Sequence, residues 1–360
     1  MKVLIAAGGT GGHITPGVAI ANRLKQEGHE ILFVGTKTGM EVDLVPKAGF
    51  DIKYIHARGI RRGNIFKNIK TFTELIKGID DVKGIIKEDK IDLVIGTGGY
   101  VTAPAMIAAL KLKVPTLIHE SNALPGKTTR WLAGKVDRVA VGFEDALKQI
   151  PKAKCAVYTG NPTKLQDSYT KEECKKKIES KKPLVLVFGG SQGAKKINET
   201  MVDFINTAKI EEYEVIYATG PKHYDEIMSQ IRTKNQNVKV EKYIYNMEEI
   251  MVASDLAVCR SGALTVTELG IVGLPAILIP FPYAAENHQF YNAKTIADAN
   301  AGIIIEEKDL TCELLKKTIE EILNNKEKLK SMTEKAKKSE MKDAMDNIMK
   351  EIHKIVNVEK

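Results

Sequence analysis

Several absences narrow the possibilities. No apolar stretch approaches the ~20 residues a membrane-spanning helix needs. Cysteine is sparse: Cys155, Cys174, Cys259 and Cys312 are scattered and form no C-x-x-C. They read as reduced thiols of a cytoplasmic protein, not as a disulfide frame or a zinc site. Aromatic residues make up 6% of the chain and nowhere interleave with arginine, which argues against stacking on single-stranded bases and so against nucleic acid. No D-x-D occurs. A diphosphate ligand would therefore be held by helix termini and neutral or basic side chains rather than through a carboxylate-bound metal. The opening apolar run, Lys2 to Ala7, is too short for a secretory signal, and no cleavage site follows it. Low-complexity segments are missing as well.

What is present suits two globular domains. The chain has 360 residues, 43% of them hydrophobic, enough for two buried cores. Lys and Arg outnumber Asp and Glu, 54 to 46, a net charge of +8. That balance suits polyphosphate ligands, nucleic acid or an anionic membrane surface, and does not choose among them.

Short apolar runs alternate with helical patterns throughout, as in parallel sheets covered by helices. Strands are expected at 2–7, 30–34, 51–55, 92–96, 115–119, 138–141 and 156–158. A second series is expected at 183–188, 214–217, 238–243, 256–258, 276–279 and 302–305. Three strands run into glycines: Gly8-Gly9-Thr10-Gly11-Gly12, Gly96-Thr97-Gly98-Gly99 and Gly189-Gly190-Ser191-Gln192-Gly193. The boundary is expected at Gly160-Asn161-Pro162, giving domains 1–161 and 162–340. A helix over about 341–360 is expected to return to the first domain.

A strand that ends in glycines and opens a helix offers backbone N–H groups to a phosphate, although such glycines also serve simply as tight turns. Three loops at sheet edges favour phosphate. The dinucleotide pattern fails, because Ile14 stands where G-x-G-x-x-G needs its third glycine. A Walker A loop fails too, since Ser121 replaces its first glycine and Pro125 stiffens it.

In the second half, Cys259-Arg260-Ser261-Gly262-Ala263-Leu264-Thr265 leads into a helix, with Ser261 expected as its N-cap. Glu268, one turn in, is placed to accept hydrogen bonds from two ribose hydroxyls, or merely to complement the helix N-terminus. Gln289 and Asn292, one turn apart, are expected to reach one ligand. His13 follows the first glycine loop, where an imidazole serves as a general base, a phosphate partner or a polar cap.

These segments occur in order with Tyr100-Val-Thr-Ala-Pro104 and His119-Glu-Ser-Asn122. Together they resemble the MurG family, bacterial glycosyltransferases of family 28 that add N-acetylglucosamine to a lipid-linked muramyl-peptide precursor of peptidoglycan. The resemblance runs from residue 2 to about 300. It implies an α/β protein of the GT-B type: two facing Rossmann-like domains with parallel sheets and an inter-domain cleft. It also implies inverting, metal-independent transfer without a cofactor.

By the same resemblance, UDP-N-acetylglucosamine would meet Ser191 at the diphosphate and Ile244 at the uracil. Ala263, Leu264 and Thr265 would meet the phosphates, Glu268 the ribose and Gln289 the sugar. Asn122 and Thr10, Gly11 and Gly12 would approach from the other wall. The acceptor, undecaprenyl-pyrophosphoryl-N-acetylmuramyl-pentapeptide, would sit at Gly9, Gly98, Gly99 and Tyr100, and His13 matches the family's candidate base. Many members carry Arg shortly after Gly-Asn-Pro; Lys164 stands here instead and lacks the bidentate fork. The family also implies a peripheral protein on the cytoplasmic face of the bacterial membrane, with candidate partners among cell-wall synthesis and division proteins.

A membrane-facing segment is legible directly. Arg61, Arg62, Lys67 and Lys70 adjoin Ile65, Phe66, Ile69, Phe72, Leu75, Ile76 and Ile79 at helical spacing, which suits docking on anionic lipid. A buried helix face with solvated lysines would give the same pattern. The rival functions are a transferase acting on another lipid such as diacylglycerol, a UDP-N-acetylglucosamine epimerase, and a non-catalytic nucleotide-sugar sensor. Acceptor loops, a cleft carboxylate and turnover, respectively, distinguish them.

Overall fold

The computed structural model describes residues 1–59, 65–163, 165, 169–337 and 342–356, with backbone alone for 65–70. The chain divides into two compact units, Met1–Lys164 with Asp343–Lys360, and Leu165–Lys342. The first contains β1 (Lys2–Ala7), α1 (Gly11–Gln26), β2 (Glu30–Gly35), α2 (Glu41–Lys47), β3 (Asp51–Tyr54), α3 (Ile65–Glu88), β4 (Leu93–Gly98), α4 (Thr102–Leu112), β5 (Thr116–Glu120), α5 (Lys127–Leu132), β6 (Arg138–Val141) and β7 (Ala156–Tyr158). The second contains α6 (Lys171–Lys177), β8 (Leu184–Phe188), α7 (Lys195–Thr207), β9 (Glu214–Ala218), α8 (Tyr224–Gln230), β10 (Val238–Glu241), α9 (Met247–Ala253), β11 (Leu256–Cys259), α10 (Ala263–Val272), β12 (Ala276–Leu278), α11 (His288–Asp298), β13 (Gly302–Ile304), α12 (Cys312–Leu323) and α13 (Lys326–Ala336).

Every expected strand forms, each end within two residues of its expected place. The sheets run β3-β2-β1-β4-β5-β6-β7 and β10-β9-β8-β11-β12-β13, and all their pairings are parallel. Both are therefore wound alike, outward from the first strand and then back across it. The order reverses between β1 and β4 and between β8 and β11, and ligands of open α/β sheets bind beyond such strand ends. The three glycine loops and the Cys259–Glu268 segment lie at those two reversals.

Alternation along the strands of the first sheet builds a core on each of its faces, because successive side chains point to opposite faces. On one face of the first sheet, Leu4, Ala6, Leu32 and Val34 pack with Ile79, Val82 and Ile86 of α3 and Ala105 and Met106 of α4. On the other, Val3, Ile5, Ala7 and Phe33 pack with Ile20 and Leu24 of α1. Ile348, Met349 and Ile352 of α14 (Ala344–Val356) join that second face. Burial of each such side chain stabilises by about 1.5–3 kcal/mol, and a buried Glu351 pairs with Arg138 of β6. The lysine-rich C-terminal stretch is thus two helices, α13 in the second unit and α14 in the first.

The apolar stripe of α3 is divided. Ile79 is buried and Leu75 packs against the core, whereas Phe72 and Ile76, one turn apart, stay 64% and 48% exposed. Arg61 and Arg62 lie outside the described residues, as do the side chains of Phe66 and Ile69.

Candidate functional site

The first two glycine loops interlock. β1 pairs with β4 through an irregularity at Ala6/Ala7, so that Ala7 comes opposite Gly98. Gly9, Gly98 and Gly99 adopt φ of +88°, +118° and +82°, a backbone region that L side chains rarely enter. A methyl on Gly99 would fall 2.1 Å from the Gly8 carbonyl oxygen, and one on Gly98 would fall 2.2 Å from Nδ1 of His13. A methyl on Gly9 would lie 3.2 Å from the Tyr100 ring. The Thr97 hydroxyl donates to the His13 carbonyl at 2.8 Å. His13, Gly9, Gly98, Gly99 and Tyr100 are thereby held in one place by contacts that only bare glycine backbone permits.

Thr10 precedes α1 with extended backbone and no side-chain cap, and the first turn contains no acid. The amides of Gly11 and Gly12 therefore stand at a positive helix end whose own first turn carries no acid, a setting that suits a phosphate. Gly9 differs, because its N–H donates to Glu41 Oε2 at 2.9 Å; what it offers a ligand is bare Cα rather than that amide.

At the end of β5 a second buried acid organises a loop. Glu120 accepts from the Asn122 backbone N–H at 3.1 Å, the Asn122 side-chain amide at 3.2 Å, the Gly126 N–H at 3.0 Å and the Thr129 hydroxyl at 2.6 Å. These bonds fix the side chain of Asn122. Beside it, His119 is buried with Nε2 3.2 Å from the Gly160 carbonyl oxygen, and burial holds its pKa below the usual histidine value. Asn161 donates to the Ser121 carbonyl at 3.0 Å.

In the second unit, β8 leads through Ser191, which is exposed, into α7, whose first turn again lacks acids and a side-chain cap. Gly193 and Gly220 both have positive φ and pack backbone to backbone. Across the reversal, β11 leads into α10, where the N-cap is Gly262 rather than the expected Ser261. Ser261 is wholly buried and its hydroxyl donates to the Gln289 carbonyl at 2.8 Å. Ala263, Leu264 and Thr265 form the uncapped, acid-free first turn, with Glu268 half-buried in the next. Burial pushes the Cys259 thiol up, with the nearby Glu268 charge adding to it, so this cysteine stays protonated.

Gln289 accepts from the Phe281 N–H at 2.9 Å, which ties it to the Pro280–Tyr283 loop. Asn292 does not share a ligand-facing position with it. It is wholly buried and donates to the Ser261 carbonyl at 3.2 Å, because its turn of α11 faces the core. Ile244 is buried between exposed Tyr243 and Tyr245, so its backbone rather than its side chain is what a base can meet. Lys164 lies outside the described residues. No group of three or more His, Cys, Asp or Glu suited to a metal occurs among the described residues.

Three further buried polar groups, Arg260, Glu120 and Glu41, organise the site. Arg260 donates to the carbonyls of Ile279 at 3.1 Å and Pro280 at 3.2 Å, pairs with Glu307 and lies 5.4 Å from the Phe281 ring. Glu120 and Glu41 anchor the loops described above. Arg260 falls within the Cys259–Thr265 motif, while Glu41 reads in sequence as an ordinary acid in a helix's first turn.

Residues 3–141 match the glycosyltransferase family 28 N-terminal domain and residues 184–348 its C-terminal domain. The UDP-N-acetylglucosamine–N-acetylmuramyl-(pentapeptide) pyrophosphoryl-undecaprenol N-acetylglucosamine transferase of Ruminiclostridium cellulolyticum is 43% identical, over 99% of this chain and 100% of that one. The protein of the same name from Acetivibrio thermocellus is 42% identical over 99% and 98%. The crystal structure of Acinetobacter baumannii MurG superposes with a TM-score of 0.80 at 31% identity, covering 98% of this chain and 99% of that one. The calicheamicin glycosyltransferase CalG4, at 12% identity and a TM-score of 0.75, shares the fold. On both domain matches and this full-length identity, the chain belongs to glycosyltransferase family 28, in its MurG group.

Proposed function

We propose that this enzyme transfers N-acetylglucosamine from UDP-N-acetylglucosamine to the C4 hydroxyl of undecaprenyl-pyrophosphoryl-N-acetylmuramyl-pentapeptide, inverting the anomeric carbon. The observation that carries this reading is the 42–43% identity, over nearly the full length, to relatives that bear the name of that transferase.

The second unit is assigned the donor. Ala263–Thr265 and Ser191 take the diphosphate, the Ile244 backbone the uracil, Glu268 the ribose and Gln289 the sugar; Lys164 is assigned to the donor as well. The first unit is assigned the acceptor. Its pyrophosphate meets the loops of Gly9, Gly98, Gly99 and Tyr100, while Thr10, Gly11, Gly12 and Asn122 reach the donor.

In the reaction, the C4 oxygen attacks the anomeric carbon as His13 takes the hydroxyl proton. The bond from that carbon to the β-phosphate oxygen breaks, and UDP departs with the electron pair. Helix N-terminal amides aimed at the diphosphate stabilise the charge that develops there. Removing a charge-assisted bond to the ribose weakens binding by about 1.5–3 kcal/mol. Glu268→Ala is therefore expected to raise the dissociation constant of UDP-N-acetylglucosamine roughly tenfold or more in calorimetry with EDTA present. Equal affinity in variant and wild type would remove Glu268 from the donor site.

The acceptor lipid places the enzyme at the cytoplasmic face of the membrane. Exposed Phe72 and Ile76 support a docking surface there, to which Arg61, Arg62, Phe66 and Ile69 are assigned from the sequence. Burying a large apolar side chain is worth about 1.5–3 kcal/mol, so Phe72→Ser with Ile76→Ser should lower partition onto anionic vesicles about tenfold or more while donor affinity holds. Unchanged flotation with such vesicles would assign this face elsewhere.

A further inference from the structure

We infer that Glu41 is a positioning residue for the acceptor side of the reaction, fixing the first glycine loop directly and the Tyr100 hydroxyl through Thr36. The inference rests on the acceptor-site reading above.

Glu41 opens α2, where an acid ordinarily faces solvent, yet it is wholly buried. Burial of a carboxyl is costly unless its oxygens are satisfied. Among the described residues no cation pairs with it. Its partners are instead the Gly9 N–H at 2.9 Å on Oε2, and the Thr36 N–H at 2.9 Å and Thr36 hydroxyl at 3.0 Å on Oε1.

Three glycines make the space. A methyl on Gly8 would lie 3.0 Å from Oε1, one on Gly35 2.4 Å from Cγ, and one on Gly39 2.0 Å from Oε2. Contacts under 3.0 Å leave no room for a side chain at Gly35 or Gly39 without displacing the carboxyl. The chain is thus built around this one acid.

Hydrogen counting gives the network a direction. A hydroxyl donates one proton, and Thr36 gives its own to Glu41. The 3.1 Å contact between Thr36 Oγ1 and the Tyr100 hydroxyl therefore runs from tyrosine to threonine, and the phenol oxygen is left as an acceptor toward a ligand. The same ring packs on Gly9. Glu41 accordingly holds the two acceptor loops from both ends, without itself reaching the surface.

The test uses the full-length enzyme with UDP-N-acetylglucosamine and a soluble short-chain muramyl-pentapeptide pyrophosphoryl lipid, each varied against saturating partner. Glu41→Gln keeps the shape but turns an N–H₂ toward a donor. It is expected to lower kcat/KM for the lipid about tenfold or more and to change the donor KM far less, because the altered bond is at Gly9 and not at Thr10, Gly11 or Gly12. Thr36→Val, which leaves the Gly9 bond in place, should lower the same parameter, and its effect should shrink in a Tyr100→Phe background.

A purely structural role would lower the melting temperature and reduce both substrates' parameters together. That result, or unchanged lipid kinetics, overturns the assignment. If Glu41→Gln does not fold, Thr36→Val decides by the same readings. Wild-type enzyme that releases no UDP in response to the lipid contradicts the functional reading, and this assignment with it. Wild-type turnover with unaltered variants contradicts this assignment alone.

Discussion

His13→Ala is expected to lower the transfer rate by roughly 10²–10⁴-fold, the usual contribution of a positioned general base, while UDP-N-acetylglucosamine binds as in wild type. The imidazole is set at the start of α1 between the first two glycine loops, and its backbone carbonyl is held by Thr97 at 2.8 Å. An attacking sugar hydroxyl needs a proton acceptor within hydrogen-bond reach, and His13 stands where the first two glycine loops converge. Quenched-flow measurement of disaccharide formation, beside calorimetry of donor binding, separates the two effects. A loss of rate below about fivefold would be too small for a general base and would move that role to another group.

Gly98→Ala should be nearly as damaging, though no side chain is removed. The added methyl would fall 2.2 Å from Nδ1 of His13 and 2.8 Å from its Cγ, at a residue whose φ of +118° already strains any L side chain. The ring must swing away, and a displacement of about 1 Å at a reacting group costs on the order of 10²-fold in rate. Because the clash falls on the His13 ring, which is assigned no donor contact, donor affinity should stay near the wild-type value. The expected signature is lost turnover with intact donor binding and a modestly lowered melting temperature. Full activity would mean that the imidazole works from a position other than the one Gly98 permits. Combining the variant with His13→Ala should add little, since both changes act on one group.

The architecture was legible because parallel strands covered on both faces are written as short continuous apolar runs. Lys2–Ala7 and Leu184–Phe188 are such runs, and the glycines after them mark where each strand hands over to a helix. The sheet reversals then bring loops distant in sequence to the same edge. In the C-terminal stretch, α14 carries its buried Ile348, Met349 and Ile352 at helical spacing.

What stayed hidden was chiefly polar and buried. Nothing local distinguishes Glu41 from an acid complementing a helix dipole. Its inward turn depends on vacancies left by Gly8, Gly35 and Gly39, two of which belong to the preceding strand and loop. By residue type Ser261 suits a cap and Asn292 a ligand contact. Tertiary packing instead paired Ser261 with the Gln289 carbonyl and Asn292 with the Ser261 carbonyl. Likewise Arg260 spends its guanidinium on two carbonyls and Glu307, a set that no spacing in the sequence announces.

The most direct measurement follows UDP and product lipid together. Purified enzyme is incubated with UDP-N-acetylglucosamine and a short-chain muramyl-pentapeptide pyrophosphoryl lipid in the presence of EDTA. The account predicts UDP and the lipid-linked disaccharide in equal amounts, with no added metal. Donor binding without disaccharide, UDP release that does not depend on the lipid, or turnover only after a divalent cation is restored would contradict it.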